Sequence, residues 1–274
     1  MFTEAYMQRA LVAALTLAPL CALLGVFVTA RRMAFFSDTI SHAALVGIAL
    51  GFWLGFLEPT VPMLLVGLAV AAAIVWLKEN TELLTDTIMA LLLSGTVAAG
   101  IVMLYRLRIN PGRIHGYLFG DILAISTADT WLAAALFVVV VVGIFSQLNA
   151  MTLLTTNEEM AHVCGVPVRG LNYLFVLVLT MTVAISIQLL GIILVTSLLV
   201  IPPAAARSVS RNLRQQIVLS VLVGLLGGLG GTVLAYHLDV PCGPTIVLTS
   251  IAIFVVALAV GWWRAHRPAK NLNL

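Results

Sequence analysis

Charge is what this sequence has least of: Asp, Glu, Lys and Arg make up 9% of its 274 residues, against 62% hydrophobic ones. A soluble domain carries about 25% charged and 45–50% apolar residues. Mean hydropathy reaches +1.13, and no water-soluble core of this length could bury so much apolar surface. Lipid must be the solvent for most of the chain. The cysteines Cys21, Cys164 and Cys242 have no pairwise spacing, which excludes a zinc knuckle and a disulfide framework. A His-Glu-x-x-His metalloprotease helix is missing, as is any glycine-rich loop followed by a lysine. The net charge of +3 is too small to point to nucleic acid.

Long apolar runs are present in abundance. A helix crosses the hydrocarbon with about 20 apolar residues. Nine runs meet that length or approach it: 11–30, 40–57, 61–77, 88–105, 131–148, 171–187, 189–206, 217–236 and 245–263. The sixth and seventh are separated only around Gln188, so eight or nine spans are expected. Runs this long predict helices, not barrel strands, in one membrane domain over 1–274 with no soluble domain. The first run is a span, not a cleaved leader, because Arg31 and Arg32 follow it as a stop-transfer flank. With the amino terminus outside, ten Lys and Arg fall inside and four (Arg9, Arg106, Arg108, Arg113) outside, which favours that orientation. The outer segment from Arg106 to Ser126 reads as a re-entrant or surface helix. Gly224/Gly228 and Gly227/Gly231 are spaced four apart, the pattern of close helix packing.

Ionisable groups inside spans are costly and usually face a pathway or a partner. The sharpest instance opens the second span, Phe36-Ser-Asp-Thr-Ile-Ser-His42. Asp38 and His42 are four apart, hence stacked on one helical face. Both could reach one divalent cation, at roughly 2.0–2.2 Å each for zinc, with Ser37 and Ser41 orienting them. The competing reading makes Asp38 a helix cap and His42 its hydrogen-bonded neighbour. Two ligands leave a cation site incomplete, so another helix or a second copy has to finish it. Asp121, with His115, lies in the outer segment, and Asp239, with His237, ends the eighth span. Both acids are candidates for an outer pathway or gate, although turn chemistry explains Asp239 equally well.

The longest inner loop runs from 149 to 168. Thr156 followed by Glu159 forms a capping box, predicting a helix over 157–164 stopped by Gly165 and Pro167. A short, well-terminated helix there serves to dock a peripheral partner or lies on the membrane surface.

Arg31-Arg-Met-Ala-Phe-Phe-Ser-Asp-Thr-Ile-Ser-His-Ala-Ala-Leu-Val-Gly-Ile-Ala-Leu-Gly51 resembles the signature of the zinc/manganese/iron ABC permeases, the ZnuB-like family. So do Tyr117-Leu-Phe-Gly-Asp-Ile-Leu123, the stretch from Leu190 to Arg207, and Asp239-Val-Pro-Cys-Gly-Pro-Thr-Ile-Val-Leu248. The departures are Pro203, Cys242 and Pro244. The resemblance implies an ABC importer permease fold and a multi-pass protein of the bacterial inner membrane. It also implies a homodimer, two ATP-binding subunits beneath it and a periplasmic metal-binding protein above. No cofactor is held permanently: the metal, with zinc favoured over manganese or iron, is cargo, and ATP is used by the partner, so the chain itself is not an enzyme. By the same resemblance, Glu158, Glu159, Met160, Ala161 and Gly165 form the coupling loop to the ATPase, and Asp38 and His42 line the metal path. The alternative is a proton-coupled secondary metal transporter, which would show inverted repeats with paired broken helices; none is evident.

Overall fold

The computed structural model describes residues 5–56, 59–107 and 126–266, and among these every regular element is a helix. In order they are α1 (Ala5–Ala30), α2 (Phe36–Trp53), α3 (Thr60–Asn80), α4 (Thr85–Leu107), α5 (Thr127–Ser146), α6 (Leu148–Thr156), α7 (Glu158–Val163), α8 (Val168–Leu190), α9 (Ile192–Val209), α10 (Leu213–Leu238) and α11 (Cys242–Ala265). Eight of them are long and apolar enough to cross a membrane: α1, α3, α4, α5, α8, α9, α10 and α11. The ninth apolar run is α2, which packs on α3, α4 and α8. The outer segment expected to be re-entrant, with His115 and Asp121, lies outside the described residues.

Local chemistry sets the helix ends. Ser126 and Asp129 form a reciprocal capping box at the start of α5, and the Asn212 side chain accepts from the Gln215 N–H to open α10. The break between the sixth and seventh runs falls at Gly191, not at Gln188. Gly191 has φ 80° and ψ 163°, a conformation open essentially to glycine alone, and α8 and α9 diverge from it. Within α9, Pro202 and Pro203 are both buried.

The packing core is α1, whose residues from Leu17 to Val28 are almost wholly buried, as expected of a helix apolar on all sides. Lipid supplies no hydrophobic drive between helices, so close contact and interhelical hydrogen bonds hold the bundle. Both glycine pairs serve this, against different neighbours. A Cβ on Gly224 would lie 2.7 Å from Cβ of Ala22 on α1. One on Gly231 would lie 2.5 Å from Cα of Ile246 on α11. Beside them, Ser220 Oγ donates to the Ala22 carbonyl at 2.8 Å, a bond worth about 0.6 kcal/mol in such bundles.

These contacts fix which ends meet. Ser220, early in α10, sits against Ala22, late in α1; Arg31 reaches Asn172 at the start of α8; Lys78, ending α3, reaches Glu158 of α7. Arg31, Lys78, Arg169 and Arg214 therefore gather at one end of the bundle, here called the basic end.

Candidate metal path and coupling helix

α2 begins at the basic end, and its first turn carries Asp38. The residue before the helix is Phe35 (φ −82°, ψ 0°), and no side chain caps the helix start. The capping explanation for Asp38 therefore fails. Its carboxylate still gains from the positive end of the helix dipole, a background effect that requires no partner.

Most of α2 is sealed. Thr39 Oγ1 donates to the Met89 carbonyl of α4 at 3.3 Å, Gly47 lies against the Met63 backbone of α3, and Ala44 and Ile48 cluster with Ala184 of α8. Asp38, His42 and Leu45 recur at helical spacing and are only half-buried. With Val46 and Leu50, they make up the side of the helix that its neighbours leave partly open. The Asp38 carboxylate and the His42 imidazole feel each other electrostatically, and neither makes a hydrogen bond to the described residues. An unengaged acid and imidazole one turn apart can share a cation.

The two serines do not play the expected supporting part. Ser41 Oγ donates to the Ser37 carbonyl at 2.6 Å, and Ser37 Oγ is buried with no partner. Both stand on the face of Ala44 and Ile48, turned away from the Asp38–His42 stripe. Among the described residues no three His, Cys, Asp or Glu side chains come together as a metal-binding group. Among them, the stripe of α2 offers two candidate ligands.

Asp239 is exposed and takes the left-handed conformation at the C-cap of α10 (φ 53°, ψ 47°). Aspartate tolerates that geometry better than most residues, so helix termination accounts for it where it stands. His237 is exposed beside it, its ring 5.7 Å from that of Tyr236.

The inner loop holds two helices where the sequence predicts one. α6 was not foreseen, and the cap of α7 is Asn157, whose side chain accepts from the Met160 N–H at 3.0 Å. Thr156 is not the cap because its hydroxyl turns back to the Thr152 carbonyl at 2.9 Å, closing α6. Gly165 does provide the left-handed stop, at φ 77°. On α7, Ala161 is fully buried, whereas Glu159 is exposed and Met160 and Val163 are 52% and 83% exposed. Glu158 differs from its neighbour: it accepts from Asn172 Nδ2 at 3.2 Å and pairs with Lys78 Nζ at 3.4 Å. α7 is thus tied to the bundle through Glu158 and presents Glu159, Met160 and Val163 outward.

One residue at this end, which the sequence marks as a basic flank of the first span, has a larger part in the fold. Arg31 donates through Nη1 to Asn172 Oδ1 at 3.1 Å, through Nε to Thr155 Oγ1 at 3.3 Å and through Nη2 to Met151 Sδ at 3.3 Å. Its guanidinium lies 4.4 Å above the Phe175 ring, a cation–π distance. Burial pushes its pKa down to about 10, partly opposed by the charge of Glu158, and it stays protonated at neutral pH. The only available sequence signal was its place, directly abutting a span, where a long side chain can fold back over the helix ends.

The sequence profile described as the ABC 3 transport family matches residues 3–261. The chain belongs to this family. Among similar ABC 3 proteins is the high-affinity zinc uptake system membrane protein ZnuB of Haemophilus influenzae, 32% identical, with 91% of this chain and 95% of that protein covered. The chelated iron transport system membrane protein YfeD of Yersinia pestis is 34% identical over 100% of this chain and 90% of its own length. The manganese transport system membrane protein MntC of Halalkalibacterium halodurans is 29% identical over 100% of this chain and 96% of its own. Among solved structures, PsaBC from Streptococcus pneumoniae in complex with Fab superposes with a TM-score of 0.80 at 28% identity, covering 93% of this chain and 91% of that one. The expected all-helical, polytopic ABC permease fold is therefore the fold of this protein.

Proposed function

We propose that this chain is the membrane-spanning permease subunit of an ABC importer whose cargo is a divalent transition-metal cation held in transit by Asp38 and His42. The observation that carries the site is the half-open stripe of α2, where a carboxylate and an imidazole stand one turn apart with no hydrogen-bond partner among the described residues. The family and the names of the relatives support metal as cargo. Those names speak of zinc, iron and manganese, and oxygen and nitrogen ligands suit all three. We favour zinc, on the double arginine at 31–32 and the Tyr117–Asp121 run.

A carboxylate with a neutral imidazole offsets the cation's charge without the permanence of a closed four-ligand zinc site. Two ligands per chain fit a path shared by two copies, so the working unit is a homodimer in the bacterial inner membrane. The basic end faces the cytoplasm, where α7 offers Glu159, Met160 and Val163 to a separate ATP-binding subunit. A periplasmic binding protein delivers the cation on the other side, near Asp239 and Asp121, which serve as the outer gate. Closure of the ATP-binding subunits displaces α7, and rigid-body motion of the spans exchanges outward for inward access. ATP hydrolysis belongs to the partner.

The test is metal accumulation by cells whose only copy carries Asp38→Ala and His42→Ala together. Uptake is expected to vanish while dimer assembly and retention of the ATP-binding subunit persist; normal uptake sinks the site. Total metal analysis of starved cells lacking the chain identifies the cargo, with a zinc deficit expected. Purification of the chain without any ATP-binding subunit would instead favour proton-coupled transport.

A further inference from the structure

At the basic end one half-buried guanidinium joins the parts that the proposed cycle must move together. Arg31 closes α1, and seven residues later the chain reaches Asp38 through a corner with little slack. Arg32 sits in the left-handed conformation at φ 56°. The Met33 N–H donates to the Val28 carbonyl at 2.9 Å, and the Phe36 N–H to the Met33 carbonyl at 3.0 Å. A shift of Arg31 is therefore a shift of the first turn of α2.

On its other side Arg31 is bound to the arm that carries α7. Thr155 and Met151 tie it to α6, while Asn172 and Phe175 tie it to α8. Asn172 works in both directions: its carbonyl oxygen accepts from Arg31 and its amide donates to Glu158 of α7. A continuous chain of bonds thus runs from α7 through Glu158, Asn172 and Arg31 to α2. Beside it lies a cavity of about 240 Å³, lined among others by Arg31, Lys78, Glu79, Thr85, Glu158 and Asn172. That space leaves room for the exposed Lys78–Glu158 pair to give way while the multiply bonded guanidinium holds.

We propose that Arg31 is a positioning residue that transmits displacement of α7 to Asp38 and His42. This rests on the reading of α7 as the ATPase contact and of α2 as the cargo helix. The chemistry suits the task. A planar fork held in three directions and stacked on a ring cannot slide without breaking several contacts at once, whereas an ammonium on a flexible stem can. The same bonds would serve a purely structural role, so the discriminating quantity is cargo moved per ATP, not activity alone.

The experiment uses the whole importer in lipid vesicles, with ATP hydrolysis, zinc uptake and the amount of bound ATP-binding subunit measured on one preparation. Arg31→Gln is expected to hydrolyse ATP within about twofold of the parent and to carry about tenfold less zinc per ATP, within the range of ordinary coupling energies. Arg31→Lys should fall between the two. Should Arg31→Gln fail to fold, Asn172→Asp decides: it keeps Arg31 paired but sets a carboxylate against Glu158, so zinc per ATP should drop. Adding Glu158→Gln, whose amide can donate to the new carboxylate, should restore it. Unchanged zinc per ATP in Arg31→Gln and Asn172→Asp, or no recovery in the double variant, overturns the inference. If the parent chain never retains an ATP-binding subunit, or Asp38→Ala with His42→Ala transports normally, the underlying reading falls and takes this one with it.

Discussion

Arg31 and Asp38 stand seven residues apart at the same end of the bundle, and the fold treats them in opposite ways. The guanidinium is engaged on several sides by Asn172, Thr155, Met151 and the Phe175 ring. The carboxylate, half-buried like the guanidinium, makes no hydrogen bond to the described residues and feels the charge of His42. Taking a charge out of water is expensive unless partners replace the lost hydration. At Arg31 the partners are there. At Asp38 none is present among the described residues. One charge belongs to the architecture, and the other leaves room for the cargo role proposed for it.

The sharpest way to break that contrast is to neutralise each member and ask what fails. Asp38→Asn keeps the shape of the side chain and removes its charge. It should cut metal uptake by roughly tenfold to a hundredfold, at least the scale of effects seen for groups that merely support a ligand. The melting temperature of the detergent-solubilised protein should hold or rise. Arg31→Ala should do the reverse to stability, because it removes at once the hydrogen bonds to Asn172 and Thr155 and the stack on Phe175. A loss of about 1–3 kcal/mol follows, read as a lowered melting temperature. If Asp38→Asn destabilises the fold while Arg31→Ala leaves it intact, the assignment of roles is inverted.

A smaller effect is expected at α7. Asn157→Ala removes the one side-chain cap of a six-residue helix and should cost about 1 kcal/mol of local stability. The bundle itself should melt unchanged, and the loss should surface as weaker retention of the ATP-binding subunit on purification. Equal retention would mean that the order of α7 does not matter to docking. Lys78→Ala should do less still. Its pair with Glu158 spans 3.4 Å, with both side chains about half exposed, and such pairs contribute about 0–1 kcal/mol.

How much of this could be read beforehand follows the range of the interactions. The nine apolar runs became nine helices, and both glycine pairs became close contacts, because span length and small-residue spacing act over a few neighbouring positions. Asp38 and His42 share a face for the same reason. The failures are competitions that local pattern cannot settle. Thr156 and Asn157 are both good caps, and α6, which the sequence did not announce, took the Thr156 hydroxyl for its own last turn. Gly191, not the more polar Gln188, breaks the chain because only glycine accepts that backbone conformation. Arg31 was legible as a charge but not as a hub, since its hydrogen-bond partners lie 120 to 141 positions away.

Ser37 offers the smallest and most delicate variation on the same contrast. It adjoins Asp38, but on the sealed face of α2, and its hydroxyl is buried without a partner. A buried polar group that makes no bond keeps its desolvation cost and gains nothing in return. Removing it should therefore leave stability unchanged or raise it by about 0–1 kcal/mol, the reverse of the usual sign for a core substitution. Uptake by Ser37→Ala should match the parent, because that face points at α8 instead of the half-open stripe. A drop in uptake with no drop in melting temperature would show that the hydroxyl turns towards the cation during the cycle. The boundary between the architectural face of α2 and its binding face would then lie one residue further round the helix.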